Sequence, residues 1–260
     1  MNIFKKISLA GLIIFSSFNS NAQDKENNKN HENILPLISY LDTKGFRIDS
    51  LLEDSRFEIY PQIDTLFTKA PEIKINNLDE YKKKIAYDIK KEEIPKFIDN
   101  NLEKLLEAEK TYGIQKEVIA SIIGIESNFG EIIGEYNPFN VYISLYSKDY
   151  KKNFSKIQIK ELLKFCEKNE LDIFYIKSSY AGAISYGQFL PSSLNLWFIG
   201  NDLYSMDNNI LSVANYLSYF KKKTGNISKA VYSYNPSKLY VQAVLALAKD
   251  AEKEFKKTER

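Results

Sequence analysis

From Ile34 onward, apolar residues recur three and four positions apart, and period-two alternation is scarce. A chain patterned this way buries its apolar surface by packing helices on one another, because strands need the alternation that is missing. Ile94, Phe97, Ile98, Leu102, Leu105 and Leu106 keep the spacing of a buried stripe, inside a helix expected from Ile94 to Ala108, and Gly113 marks a stop. Further helices are expected over Ile34 to Leu41 (ended by Gly45), after a cap at Asp49 or Ser50, over Leu78 to Ile89, and over Lys116 to Ile125. Asn137-Pro138 reads as a cap with a first-turn proline opening a helix through Tyr146. Ser155 to Lys168 is amphipathic; Asp207 is expected to cap Ile210 to Phe220, Ser228 to open Ala230 to Tyr234, and Ser237 to open Leu239 to Phe255. The fold class is mainly α with little or no sheet, the least helical stretches being Tyr60 to Asn77 and Leu171 to Ser179.

Two counts restrict the chemistry. The 260 residues contain one cysteine, Cys166, and one histidine, His31. A disulfide framework needs paired cysteines, and a thiolate or imidazole metal cage needs several ligands. His31 lies in the polar run Gln23 to Asn33, which reads as a flexible tail, so catalytic triads built on histidine are disfavoured. Acid–base work then falls to Glu, Asp, Lys or Tyr. The net charge of +2 resides in Lys5 and Lys6, so the remainder is close to neutral and gives no electrostatic footprint for nucleic acid.

Residues 1–22 have the form of a secretory signal peptide: Lys5-Lys6, an apolar run from Ile7 to Phe15, and small residues at Ser20 and Ala22. The run is roughly half of the ~20 residues that a transmembrane span requires. An exported product without an integral membrane segment is expected, in the periplasm of a Gram-negative cell or released outside.

Three stretches carry candidate chemistry. On a helix from Lys116, Glu126 falls on the face made by Val118, Ile119, Ile122 and Ile123. A carboxyl on an apolar face loses hydration and holds its proton, as the general acid of a glycosidase must. The same residues also permit a helix that stops at Ile125 and leaves Glu126 solvated. The stretch Ser178 to Ser193 interleaves small residues and glycines with Tyr180, Tyr186 and Gln188, which suits close backbone approach to a ligand and equally suits a tight turn. Ala230 to Ser237 ends a helix at Asn235-Pro236.

Taken together these stretches resemble the lytic murein transglycosylases of the B type. Ile122-Ile123-Gly124-Ile125-Glu126-Ser127-Asn128-Phe129-Gly130 is similar to that family's catalytic segment. Ser179-Tyr180-Ala181-Gly182-Ala183 with Tyr186-Gly187-Gln188-Phe189-Leu190-Pro191-Ser192-Ser193 is similar to its most characteristic motif, and Ser212 to Tyr216 and Tyr234-Asn235 follow in the expected order. The resemblance implies a lysozyme-like catalytic domain over 113–260, with an N-terminal helical part over 34–112 packed on it. It implies cleavage of the β-1,4 bond between N-acetylmuramic acid and N-acetylglucosamine in peptidoglycan glycan strands, without water, leaving a 1,6-anhydromuramic end.

In that chemistry Glu126 is the single acid and base. Ser179 orients the substrate acetamido group, Gln188 and Asn235 hydrogen-bond the saccharide, and Tyr186 and Tyr234 shape the groove or pack in the core. A true hydrolase would instead need a second carboxylate, for which Glu131, Glu135 and Asp149 are the candidates. A catalytically silent peptidoglycan-binding protein is a third possibility. Two departures stand out. Tyr150-Lys151-Lys152 occupies the place where the family often has paired arginines, and lysine lacks the planar fork. Trp197 to Asp207 offers only Asp202 and Asp207 where some members carry an acidic calcium loop, so no metal and no cofactor are expected.

Overall fold

The computed structural model describes residues 32–68 and 75–258. The signal-peptide segment 1–22, His31 and most of the expected tail lie outside the described residues. Helix α1 covers 32–42, so it opens two residues inside the stretch expected to be a tail, and Asn33 Nδ2 donates to the Ser147 carbonyl at 2.7 Å. Short helices α2 (Asp49–Leu52) and α3 (Ile63–Thr68) follow. The cap expected at Asp49 or Ser50 is absent, since Ile48 occupies that position and no side chain bonds the helix start.

Helices α4 (Leu78–Lys84), α5 (Tyr87–Asn100) and α6 (Leu102–Tyr112) replace the two helices expected over this region. The first break is at Ala86, which takes a left-handed φ of +51°. It re-aims the chain so that α4 and α5 both pack on the C-terminal helix, where Tyr87 Oη meets Asp250 at 3.2 Å. The second break is at Asn101, whose side chain donates to the Phe97 carbonyl at 2.8 Å and satisfies a group that the helix end leaves open. This break splits the expected stripe. Ile94, Phe97, Ile98 and Leu105 are buried, while Leu102 and Leu106 are 40% and 47% exposed.

Helix α7 (Lys116–Ser127) is the centre of the molecule. It starts just after Gly113, which ends α6 at φ +67°, and every residue from Glu117 to Gly124 is buried. A helix apolar on all sides needs neighbours on all sides, and α5, α6, α11 and α13 supply them. Helix α8 (Pro138–Ser147) is likewise wholly buried, capped as expected by Asn137 with Pro138 in its first turn.

The remaining helices form the shell. They are α9 (Lys152–Asn169), α10 (Pro191–Trp197), α11 (Met206–Thr224), α12 (Ile227–Tyr234) and α13 (Lys238–Thr258), with one 3₁₀ turn at Ile173–Tyr175. The caps expected for α11 and α12 are displaced. Ser205 caps α11, leaving Asp207 in the first turn where its charge still suits the helix N-terminus. Asn226 caps α12 by accepting from Ser228 N and Lys229 N. Ser237 Oγ accepts from Tyr240 N at 3.3 Å, so the expected opening of α13 holds.

Extended pairing among the described residues is confined to isolated antiparallel bridges joining Tyr136, Ser178, Ile184 and Phe189. The architecture is mainly α, as the periodicity predicts. Among the described residues no helix is long and apolar enough to cross a membrane.

Candidate active site

Helix α7 does not stop at Ile125. It continues to Ser127, and Glu126 sits in its last turn. Asn128 then takes a left-handed φ of +49° and Phe129 one of +58°. Lys90, itself buried, donates from Nζ to Asn128 Oδ1 at 2.9 Å and steadies this exit. Gly124 is required one turn earlier, because a Cβ there would lie 2.6 Å from the Phe129 ring.

Glu126 is half-buried, and the desolvation of its carboxyl pushes the pKa up to about 7. Its place at the negative end of the α7 dipole acts in the same direction. Against both, Tyr240 Oη donates a 2.6 Å hydrogen bond to Oε1, which favours the charged form. The balance leaves a carboxylic acid able to lose and regain its proton near neutral pH, as a group acting first as acid and then as base requires. Burial above all, and then the nearby Glu126 charge, holds the Tyr234 and Tyr240 hydroxyls well above the ordinary phenol range, so both remain neutral donors.

The Ala-Gly-Ala segment is a small backbone weave. Ser178 N donates to Tyr136 O at 2.7 Å, Ser179 N to Ala183 O at 2.9 Å, and Ile184 and Phe189 exchange two bonds of 2.8 Å. Tyr142, fully buried on α8, donates from Oη to the Gly182 carbonyl at 2.8 Å. Phe67 lies edge-on to Tyr180 at 5.4 Å, and Lys151 Nζ stands 4.4 Å above the Phe67 ring. One of the two lysines in the expected arginine positions therefore covers the ring that packs on this segment, while Lys152 pairs with Asp149 at 3.0 Å.

Two bonds tie the weave to α12 and α11, and the Glu126 charge is felt at the first of these donors, Tyr234. Tyr234 Oη donates to the Gly187 carbonyl, and the Gly187 amide donates to Asn209 Oδ1 at 3.0 Å. Tyr186 faces the turn after α7, since a Cβ on Gly130 would meet its ring at 3.5 Å. The fold thus gathers Glu126, Tyr186, Gly187 and Tyr234 from three remote stretches. Ser179, Gln188 and Asn235 sit on the same segments and make no hydrogen bond to the Glu126 carboxyl among the described residues. Ser179 Oγ accepts from Ala183 N at 3.3 Å, Gln188 Nε2 donates to Ser185 O at 3.0 Å, and Asn235 O accepts from Ser237 N at 2.8 Å.

Tyr240 and Asn209 are the residues that sequence reasoning missed. Tyr240 opens a buried stripe with Ala243, Val244, Leu247 and Ala248, so a hydroxyl in that stripe was the available signal. Asn209 is fully buried and donates to Leu203 O and Ser205 O; a lone Asn near a helix start gives no such hint.

The alternative carboxylates Glu131, Glu135 and Asp149 are all exposed. Asp202 Oδ1 accepts from Tyr204 N at 2.9 Å, and Asp207 stands 3.6 Å from Lys104 Nζ. Among the described residues, no three His, Cys, Asp or Glu side chains group as a metal ion would need.

Residues 42–228 match the Transglycosylase SLT domain. The chain belongs to that transglycosylase family. This SLT-domain protein is 26% identical over 116 residues to membrane-bound lytic murein transglycosylase B of Escherichia coli (strain K12), a match covering 43% of this chain and 32% of that relative. The match therefore spans about a third of the curated relative's length. Among solved structures it resembles soluble lytic transglycosylase SltB1 from Pseudomonas aeruginosa, with a TM-score of 0.75 and 21% identity over 84% of this chain and 98% of that one. It also resembles SltB3 from the same organism, solved in complex with NAG-NAM-pentapeptide, with a TM-score of 0.69 and 15% identity over 88% of this chain and 79% of the other. The fold of this SLT-domain protein is accordingly that of the B-type lytic transglycosylases.

Proposed function

We propose that the protein is a lytic transglycosylase of peptidoglycan, cleaving the MurNAc–GlcNAc β-1,4 bond without water. The observation that carries this is the Glu126 carboxyl, raised by burial to a pKa of about 7, bonded to Tyr240 and close enough to act electrostatically on Tyr234, which in turn bonds Gly187 of the characteristic motif. Family membership and the saccharide–peptide complex of SltB3 support peptidoglycan as the substrate class.

In the proposed reaction the protonated Glu126 gives its proton to the glycosidic oxygen as the C1–O bond breaks. The substrate acetamido group stabilises the cationic centre, held by Ser179. The Glu126 carboxylate then takes the proton of the sugar's own 6-hydroxyl as O6 bonds to C1. The carboxyl ends as it began, and the product carries a 1,6-anhydro ring. One carboxyl suffices, in keeping with the surface positions of Glu131, Glu135 and Asp149. Gln188, Asn235, Tyr186 and Tyr234 hold or border the glycan strand. Segment 113–260 is the catalytic domain and 34–112 its N-terminal support; the leader at 1–22 directs export to the periplasm.

The test is mass spectrometry of fragments released from purified sacculi. Anhydro ends are expected from the protein and none from Glu126→Gln, which should still bind sacculi. Products heavier by one water would mark a hydrolase. Undiminished turnover by Glu126→Gln would remove this residue from the mechanism.

A further inference from the structure

A cavity of about 410 Å³ opens next to the candidate active site, and Tyr204 joins the two. The Tyr204 ring lies 6.3 Å from that of Tyr186, and it also lines the cavity beside the buried side chains of Ile176 and Leu203. Tyr204 is fixed in place, since its hydroxyl accepts from Lys177 N at 2.7 Å. Asn201 and the carboxylates of Glu170, Asp172 and Asp202 form the cavity's polar edge.

The unusual member of this lining is Tyr175. It belongs to the 3₁₀ turn Ile173–Tyr175 and is 77% exposed, the most exposed large hydrophobic side chain among the described residues. Solvent exposure normally goes with rotamer freedom, but this ring is backed. The Arg56 guanidinium stands 5.4 Å from its centroid and 4.7 Å from that of Phe174. Arg56 is itself locked, donating to Asp54 through Nε at 2.9 Å and Nη2 at 2.7 Å, and to Asp172 through Nη1 at 2.7 Å. A planar cation clamped between two carboxylates holds an aromatic ring that the core does not use.

A pyranose ring has an apolar C–H face and a rim of hydroxyl donors. A bare aromatic ring flanked by carboxylate and amide acceptors matches both. The three carboxylates disfavour an anionic ligand such as a peptide stem rich in carboxylates, and they accept readily from neutral hydroxyls.

We propose that this cavity is a distal saccharide subsite, in which Tyr175 is the stacking platform for a neutral, peptide-free N-acetylhexosamine ring of a glycan strand whose reacting bond lies at Glu126. The proposal rests on the glycan-cleaving function argued above, and it adds a binding position reached through Tyr186 and Tyr204. Asp172 serves twice, accepting from Arg56 and lining the cavity.

The experiment titrates the full chain carrying Glu126→Gln with N-acetylglucosamine oligomers of increasing length. Affinity is followed by calorimetry, and the Tyr175 ring by NMR. Affinity should rise at the oligomer length that first moves the Tyr175 resonances. Tyr175→Ala should weaken the long oligomers roughly tenfold and leave short ones unchanged, the size expected for one lost aromatic contact. Tyr175→Phe should bind like the parent, because the ring and not the hydroxyl is the platform. Long-oligomer affinity unchanged in Tyr175→Ala, or an equal loss for short and long oligomers, overturns the subsite. The sacculus assay of the unmutated protein separates this from the function: anhydro ends together with an inert Tyr175 remove the subsite alone. Absent anhydro ends with Tyr175 still engaged by oligomers leave the saccharide site standing and remove the lyase activity.

Discussion

Tyr240 Oη donates a 2.6 Å hydrogen bond to Oε1 of Glu126 across 114 residues of chain. The tyrosine is 1% exposed and the carboxyl is desolvated, so the bond forms where the dielectric is low and its effect on charge is large. It opposes the effect of burial on the same proton, and its removal therefore has a direction.

Tyr240→Phe deletes the donor and keeps the ring. The Glu126 carboxylate loses its stabilising partner, so its pKa moves further above about 7. The alkaline limb of the pH–rate profile for anhydro-end release should shift to higher pH, with a maximal rate lower by about tenfold because a weaker acid protonates the leaving oxygen less readily. A profile that superimposes on the parent's would deny Tyr240 this positioning role.

Glu126 should also leave a signature in stability. Its carboxyl titrates near 7 in the folded protein and near the ordinary 4.5 when unfolded. Between these values the folded state holds more protons, so stability falls as pH rises through that window. Glu126→Gln has no proton to lose. The two proteins should melt alike at about pH 4, and the variant should be more stable at about pH 8 by on the order of 1–3 kcal/mol. Thermal denaturation at the two pH values checks this, and a variant of lower stability at the higher pH would contradict the burial of the carboxyl.

Ser185 carries two penalties. Its φ is +70°, and its Oγ is buried without a hydrogen-bond partner. Ser185→Gly relieves both and should stabilise the protein by about 1 kcal/mol, read from urea unfolding. Ser185→Ala keeps the backbone strain and should gain less.

Gly182 admits no side chain. Its φ is +77°, and an added methyl would overlap the Tyr142 ring. Gly182→Ala should therefore destabilise by about 2–3 kcal/mol and break the Tyr142–Gly182 bond that anchors the weave. Activity should fall with it even below the melting transition. A variant as stable and active as the parent would show that the weave moves freely.

Much of the fold is legible in the chain because helix formation and burial are local in their signals. The stripe Ile159, Leu162, Leu163 and Cys166 reads as one face of α9 and is buried as such. Asn137-Pro138 announces α8, and Gly113 ends α6 where only a left-handed residue closes the turn. The failures are of two kinds. Ala86 breaks a helix that periodicity continues, since packing α4 and α5 on α13 outweighs alanine's own helix preference, and Asn101 breaks another at a poor helix former whose side chain closes the end of α5. Capping errors of two residues at Asp207 and Ser228 arise because Ser205 and Asn226, two positions upstream, are equally good cap residues and open the helices earlier.

By itself the sequence determined that the chain is helical, that with one histidine and one cysteine any acid–base work is left to Glu, Asp, Lys or Tyr, and that a helix from Lys116 running through Glu126 sets that carboxyl on an apolar face. Periodicity, composition and motif order are properties of the chain and need no coordinates. Only the tertiary structure decided how dry Glu126 is and that Tyr240 bonds it. It alone set Tyr234 against Gly187 and Arg56 behind Tyr175. Desolvation depends on what surrounds a group on every side, and hydrogen bonds between residues remote in sequence exist only once the packing of α7, α12 and α13 has brought them within reach.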